Sequence, residues 1–281
     1  MKILIFGARG QLGLQIKNDL KKSNKVICLN KESKIYKADF RNPKNIIETI
    51  SKIKPEIIIN AAAYTSVDKS EVNKKLARTV NAITPNKISS ICKKSNILLI
   101  HFSSDYVFSG NGNTPWLETS LLRPKNYYGK TKFLVEEYLI KNCTNYHILR
   151  TGWNVDINSK SRCVVTLTYK TLLGNKAKMA KDNSFTITHT NDLSASIEKI
   201  LFKADKKILH LCSNEIVSRV KLADTIIENS KNGNKMNYES VLFSEIKYNE
   251  PRARMNNLQS ENEELNKNLF FRSPLETIKE K

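Results

Sequence analysis

Apolar positions follow two rhythms along this chain: short unbroken runs, and longer stretches spaced by three and four. "KILIF" (Lys2 to Phe6) is a short apolar run closed by glycine, as a buried strand would be. "QLGLQIKNDLKK" has helical spacing. "KVICLN" predicts a second strand, and "NPKNIIETISKIK" a second helix opened by Asn42 and Pro43. "PEIIINAAA" is a strong strand. "VNKKLARTVNAITPNKISSICKKS" is helical, in two pieces because Pro85 interrupts it. "ILLIHFSS" is another strand. A polar loop with Gly110, Gly112, Pro115 and Pro124 leads to a helix beginning near Tyr128, and "YHILRT" is the next strand. Strands alternating with helices predict a parallel sheet covered on both faces.

After about Thr151 the rhythm weakens. "VVTLTYKTLLG" and "DLSASIEKILFK" predict helices, "KILHLCS" a late strand and "SRVKLADTIIENSK" a late helix. From Glu245 the chain reads as polar and irregular, and there is no internal repeat or low-complexity linker. The expected fold is α/β: a doubly wound parallel sheet in residues 1–150, to which later segments can return, with a smaller substrate-holding lobe in 151–281.

Composition narrows the class. The 281 residues, 40% hydrophobic and 26% charged, suit a soluble globular protein. No apolar run approaches the roughly 20 residues that cross a bilayer. "MKILIFGARG" reads as a strand and turn, not a signal peptide. Cys28, Cys92, Cys143, Cys163 and Cys212 have no CxxC spacing and read as small core residues in a reducing cytoplasm. His101, His147, His189 and His210 form no metal motif, and no metal is expected. The net charge of +20 is spread along the chain, without an arginine-rich arm or aromatic-basic interleaving. It favours an anionic small substrate over nucleic acid.

Two stretches carry chemistry. "GARGQLG" places Gly7, Gly10 and Gly13 between a strand and a helix, where a tight turn and open backbone amides (Gln11 and Leu12 included) suit a dinucleotide pyrophosphate. "NYYGKTK" places Tyr128 and Lys132 on one helix face. A lysine there can lower the tyrosine pKa and make a proton donor. The same spacing also suits a solvated helix face, and the pair alone does not decide between the two.

The motifs "GARGQLG", "IIINAAAYTSVDKSE", "HFSSDYVFSGNGNTPWLET", "RPKNYYGKTKFLVEE" and "HILRTGW" occur in this order. Together they resemble the dTDP-4-dehydrorhamnose reductase family of the extended short-chain dehydrogenases. The resemblance is dense to about Trp153 and weaker beyond. It implies a Rossmann-type domain with a small C-terminal substrate lobe, and a catalytic set of Ser104, Tyr128 and Lys132, with Ser104 where the family usually has Thr. Tyr128 and Lys132 would also touch the cofactor. Ala62, Ala63 and Tyr64 would pass along it, and Asp39 and Phe40 would flank its adenine. Val67, Asp68, Asp105, Tyr106 and Trp153 would approach the sugar together with Ser104. At the second strand end, "CLNKES" puts Asn30 and Lys31 where an NAD site usually has an acid, which favours NADPH, with NADH use possible.

Two segments depart from the family pattern. "DNSFTITHT" keeps Asp182 and Thr188 but lacks the usual Gly and Pro. "PRARMNNL" keeps an Arg, an Asn and a Leu but loses the Pro; Arg252 or Arg254 would face the substrate diphosphate, or solvent. Three functional readings stay open: a reductase of a nucleotide-linked 4-keto sugar, a non-catalytic dinucleotide-binding regulatory subunit, and a nucleotide-sugar epimerase or dehydratase. The expected partner is a small nucleotide sugar, with no nucleic acid and no membrane. A homodimer stays open.

Overall fold

A computed structural model of the chain describes residues 1–29, 38–112, 114–156, 163–174, 176–203, 207–262, 271–273, 275 and 278. The strands are β1 (Lys2–Phe6), β2 (Lys25–Leu29), β3 (Ile57–Asn60), β4 (Leu98–Ser104), β5 (Tyr146–Thr151), β6 (Trp153–Val155), β7 (Lys178–Ala180), β8 (Ser184–His189), β9 (Ile208–His210), β10 (Ile216–Ser218), β11 (Glu239–Val241) and β12 (Met255–Asn256). The α-helices are α1 (Gln11–Leu20), α2 (Pro43–Ile53), α3 (Val67–Val72), α4 (Lys74–Arg78), α5 (Thr84–Ser95), α6 (Tyr127–Asn142), α7 (Val164–Leu172), α8 (Thr190–Lys203) and α9 (Arg219–Glu228).

Six strands form one parallel sheet in the order β2-β1-β3-β4-β5-β9. Its two faces are both apolar, because alternate side chains of each strand point to opposite sides. Leu4, Phe6, Ile58, Leu99 and Ile148 pack against α2, α5 and α6. Ile3, Ile5, Ile59, Ile100 and Leu209 pack against α1 and α8. The alternation of strands and helices led to the expectation of this doubly covered parallel sheet, and the family resemblance implied its Rossmann-type arrangement. The strand order reverses at β1, which opens a crevice at the C-terminal ends of β1 and β3.

Local signals act where they were expected. The Asn42 side chain accepts from the Asn45 N–H at 3.3 Å, and Pro43 opens α2. At Pro85 the helix is not cut. A π-helical turn, Thr79–Ile83, joins α4 to α5 directly before it, and the widened turn accommodates a residue without an N–H.

Beyond Thr151 the chain divides. Helix α8 and strand β9 return to the main sheet. Strand β8 centres a second sheet with β10, β12 and β6, and Phe185, Ile187, Val217 and Leu222 bury its core. The segment after Glu245, irregular by its sequence, carries β12, and the Met255 N–H donates to the Gly110 carbonyl at 3.0 Å. All five cysteines are free. Among the described residues, no helix is long and apolar enough to cross a membrane, and no group of His, Cys, Asp and Glu could hold a metal ion.

One buried polar network ties these parts together. Arg150 of β5 is fork-bonded to Glu136 of α6, with Nη2 at 2.7 Å and Nε at 3.1 Å from Oε2, and both side chains are almost fully buried. Ser103 of β4 donates to the other Glu136 oxygen. Arg150 Nη1 donates to the Glu118 carbonyl at 3.0 Å. The Glu118 carboxylate in turn accepts from the His210 N–H at 2.8 Å and the Glu261 N–H at 2.8 Å. Removing one partner of such a pair strands a buried charge. Glu136→Ala is therefore expected to lower unfolding free energy by about 3–5 kcal/mol, read from urea denaturation. A loss of under about 1 kcal/mol would mean that solvent reaches the pair.

Candidate active site

A cavity of about 560 Å³ opens at the crevice. Its floor is the turn from β1 into α1. Gly7 has φ +86°, and a Cβ there would lie 2.6 Å from Ala61 C and Ala62 N; at Gly13 it would lie 2.3 Å from the Gly7 carbonyl oxygen. No other residue fits either place. Gly10 caps α1 without a side-chain hydrogen bond, so the first amides of the helix are left to the cavity.

Helix α6 carries Tyr128 and Lys132. The Asn126 side chain starts it by accepting from the Gly129 N–H at 2.9 Å. Gly129 is needed for close approach: a Cβ there would stand 2.1 Å from the Tyr106 carbonyl oxygen. That approach sets the Tyr106 ring edge-on to Tyr128, with centroids 5.8 Å apart. Ser104 ends β4 with its hydroxyl toward Tyr128. It donates to Asp105 Oδ1 at 2.7 Å, and the other Asp105 oxygen is buried with no hydrogen-bond partner among the described residues.

Electrostatics here depart from expectation. Lys132 Nζ donates to the Phe102 carbonyl at 2.6 Å and lies 3.5 Å from His101 Nε2. Burial lowers its pKa to about 8, against the pull of the Glu136 carboxylate. Burial also holds His101 well below its ordinary range, with the Lys132 charge acting the same way, so His101 is neutral. The Tyr128 hydroxyl is pushed up by burial and by the Asp105 charge; the Ser104 hydrogen bond only partly offsets this. Lys132 therefore does not depress Tyr128 in this structure, because its ammonium is anchored on the strand backbone.

The opposite wall comes from the smaller lobe and the segment after Pro251. Arg252 Nη2 lies 2.5 Å from Asp68 Oδ1, and its Nη1 is 3.3 Å from the Tyr106 hydroxyl. Trp153 lines the cavity and tilts against Phe185, at 6.1 Å between centroids.

Gly10, Gln11, Leu12, Gly13, Ala62 and Ala63 line the cavity on the side of the β1–α1 turn. Val67, Asp68, Ser104, Asp105, Tyr106, Tyr128, Lys132, Trp153 and Arg252 line the rest. Gly7 shapes the turn from beneath. Asp39 and Phe40 stand apart from the lining: Asp39 pairs with Arg41 at 2.6 Å, and Phe40 packs edge-on against Phe6 at 5.2 Å. Tyr64 also stands behind the wall, exchanging backbone hydrogen bonds with the Asn81 amide at 2.7 and 3.1 Å. Lys31 lies outside the described residues. Asp182 and Thr188 serve the lobe itself, accepting from the Phe243 N–H at 2.6 Å and the Ser213 N–H at 3.1 Å.

Several supporting residues escaped the sequence reading. Asn60 links to His101 Nδ1 at 3.1 Å and accepts from the Ala62 N–H at 3.2 Å, continuing the Lys132–His101 contact to the end of β3. Polar residues inside the apolar runs "IIIN" and "LLIHF" were the available signal. Arg219 stacks 4.6 Å over Phe185 and 5.9 Å from Trp153, with no carboxylate beside it among the described residues. Nothing in "VSRVK" marked it.

A family model described as RmlD substrate binding domain matches residues 1–277. The chain belongs to this family. Over 153 residues it is 42% identical to the dTDP-4-dehydrorhamnose reductase of Salmonella typhimurium, covering 54% of this chain and 51% of that protein. The matched stretch thus spans about half the length of that curated relative. Its fold is similar to the crystal structure of a dTDP-4-dehydrorhamnose reductase from Clostridium acetobutylicum, with TM-score 0.88 and 28% identity over 100% of this chain and 98% of that one. It is also similar to the Bacillus anthracis dTDP-4-dehydrorhamnose reductase in complex with NADP, with TM-score 0.86 and 25% identity over 100% and 98% of the two chains.

The helix start is open to test. Alanine is a better helix former than glycine by about 1 kcal/mol. The backbone clash at Gly129 is expected to outweigh that gain, so Gly129→Ala should lose about 1–3 kcal/mol of stability in chemical denaturation. A stabilised variant would show that the contact with Tyr106 is loose.

Proposed function

We propose that the chain is an NAD(P)H-dependent reductase of a nucleotide-linked 4-keto deoxysugar, converting dTDP-4-dehydro-β-L-rhamnose to dTDP-L-rhamnose. The observation that carries this reading is the convergence of Ser104, Tyr128 and Lys132 in one cavity whose far wall holds Asp68, Trp153 and Arg252. The relatives named above support it. The β1–α1 turn fits a dinucleotide, since side chains are excluded at Gly7 and Gly13 and α1 opens without a side-chain cap. Gly10 to Gly13 would hold the pyrophosphate, and Lys132 would face the nicotinamide ribose.

When bound, the reduced nicotinamide supplies the hydride. The residues of this chain do the rest. Tyr128 gives its proton to the sugar ketone oxygen as charge grows there, and its high pKa keeps that proton in place at neutral pH. Ser104 hydrogen-bonds the same oxygen. Arg252 offers its charge to the substrate diphosphate. Free thiols suit a cytoplasmic setting.

Tyr128→Phe keeps the ring and removes the donor. NADPH binding should persist while turnover falls by roughly 100- to 10,000-fold. The assay is loss of reduced-nicotinamide absorbance over a panel of 4-keto sugar nucleotides. If the wild type reduces none of them yet binds NADPH, the regulatory-subunit reading takes over. Lys31 near the second strand end supports NADPH over NADH, and kcat/KM with each cofactor checks it. A clear advantage for NADH would reverse that preference.

A further inference from the structure

We propose that Asp105 is a positioning residue for reduction: its protonated carboxyl frees the Ser104 hydroxyl to donate to the substrate oxygen, and its ionised form holds that hydroxyl back. This rests on the reductase reading. The argument is a count of protons. A serine hydroxyl has one proton to give and two lone pairs to accept with. Ser104 Oγ gives its proton to Asp105 Oδ1 at 2.7 Å, and it accepts from the Tyr106 N–H at 3.3 Å. The Tyr128 hydroxyl stands beside the same oxygen in the cavity. Arranged so, Ser104 only accepts on the cavity side, and an oxygen gaining negative charge finds no donor in it. If Asp105 carries a proton, the bond between them reverses. Asp105 then donates to Ser104, and the serine proton turns to the substrate. The proton stays on Asp105 during turnover and is lost to solvent only when rising pH ionises the acid.

The surroundings of Asp105 favour the neutral acid. It is 2% exposed, and its Oδ2 is buried with no hydrogen-bond partner among the described residues. Among the described residues it makes no ion pair. Burial strips the carboxylate of its hydration, and the hydrogen bonds from Ser104, the Tyr106 and Asp105 N–H groups and Asn256 return only part of it. The groups facing it are Ser104 on β4, the adjacent Tyr106, Tyr128 on α6 and Asn256 on β12. Lys132 shares the cavity, and Arg252 bonds to the Tyr106 hydroxyl. Burial raises the Asp105 pKa to about 7, against the hydrogen bond from Ser104. Lys132, at about 8, is the next group to titrate. The active form is the protonated one. The Asp105 contribution is therefore complete at acid pH and is lost as pH rises through about 7.

The test is kcat/KM for NADPH oxidation with a 4-keto sugar nucleotide, followed across neutral pH for the wild type, Asp105→Asn and Ser104→Ala. The wild type should decline by about tenfold per pH unit beginning near 7, before any step from Lys132. Asparagine is neutral at every pH and can donate to Ser104, so that variant should lose the first decline and keep activity within about tenfold of the acid plateau. Ser104→Ala should also lose the decline near 7, because Asp105 acts only through the hydroxyl. NADPH titration and thermal melting confirm that each variant is folded. An Asp105→Asn variant that keeps the decline, or is folded and inactive at every pH, overturns the proposal. Where that variant fails to fold, a decline retained in Ser104→Ala overturns it. A wild type with no turnover at any pH overturns the reductase reading and this inference together.

Discussion

The geometry of the candidate site hangs on the buried bond between Arg150 and Glu136. Glu136 is one helical turn beyond Lys132, and Arg150 is the residue before Thr151 at the end of β5. Ser103, which donates to the same carboxylate, is the neighbour of Ser104. One ion pair thus fixes α6, β4 and β5 relative to each other immediately behind the three proposed catalytic side chains. A buried pair of this kind gives little net stability, because desolvation offsets most of the attraction. Its effect is on register: only one arrangement of helix and strands satisfies both oxygens and the whole guanidinium.

Burial then decides how the charges behave. The cavity side chains titrate away from their ordinary values mainly because water is excluded: Lys132 goes down, while Tyr128 and Asp105 go up. Such divergence among neighbouring groups is common where proton transfer occurs. It also limits what a Tyr-Lys spacing alone implies. Position i+4 places a lysine near a tyrosine, but the Phe102 carbonyl at 2.6 Å takes the ammonium for the backbone.

The sheet was legible in the sequence because strands buried on both faces need unbroken apolar runs such as "KILIF" and "IIIN", and because glycine closes the first of them. The glycine turn was legible for a related reason, since close backbone approach admits few residue types. Ser104 was grouped with Tyr128 and Lys132 only through the family resemblance, and the fold brings the three to one cavity. What stayed hidden was long-range. Asn81 meets Tyr64 across 17 residues, and Arg252 meets Asp68 across 184. Neither partner carries a local pattern. Pro85 was read as a break, yet a π-helical turn absorbs it, since tertiary packing on α6 and α2 holds the helix together.

The segment after Pro251 shows how a weak contact and strong ones divide their work. Asp68 is about half exposed, so its pair with Arg252 is worth little against water. The segment is held instead by backbone bonds: Met255 to Gly110 at 3.0 Å, Ser184 to Arg254 at 3.1 Å and Trp116 to Asn257 at 2.8 Å. Asn126, the cap of α6, adds its amide to the Pro251 carbonyl at 3.2 Å. Breaking the Arg252–Asp68 pair therefore leaves the strap in place. A guanidinium so mounted can exchange one carboxylate for a more highly charged anion without moving the chain that carries it.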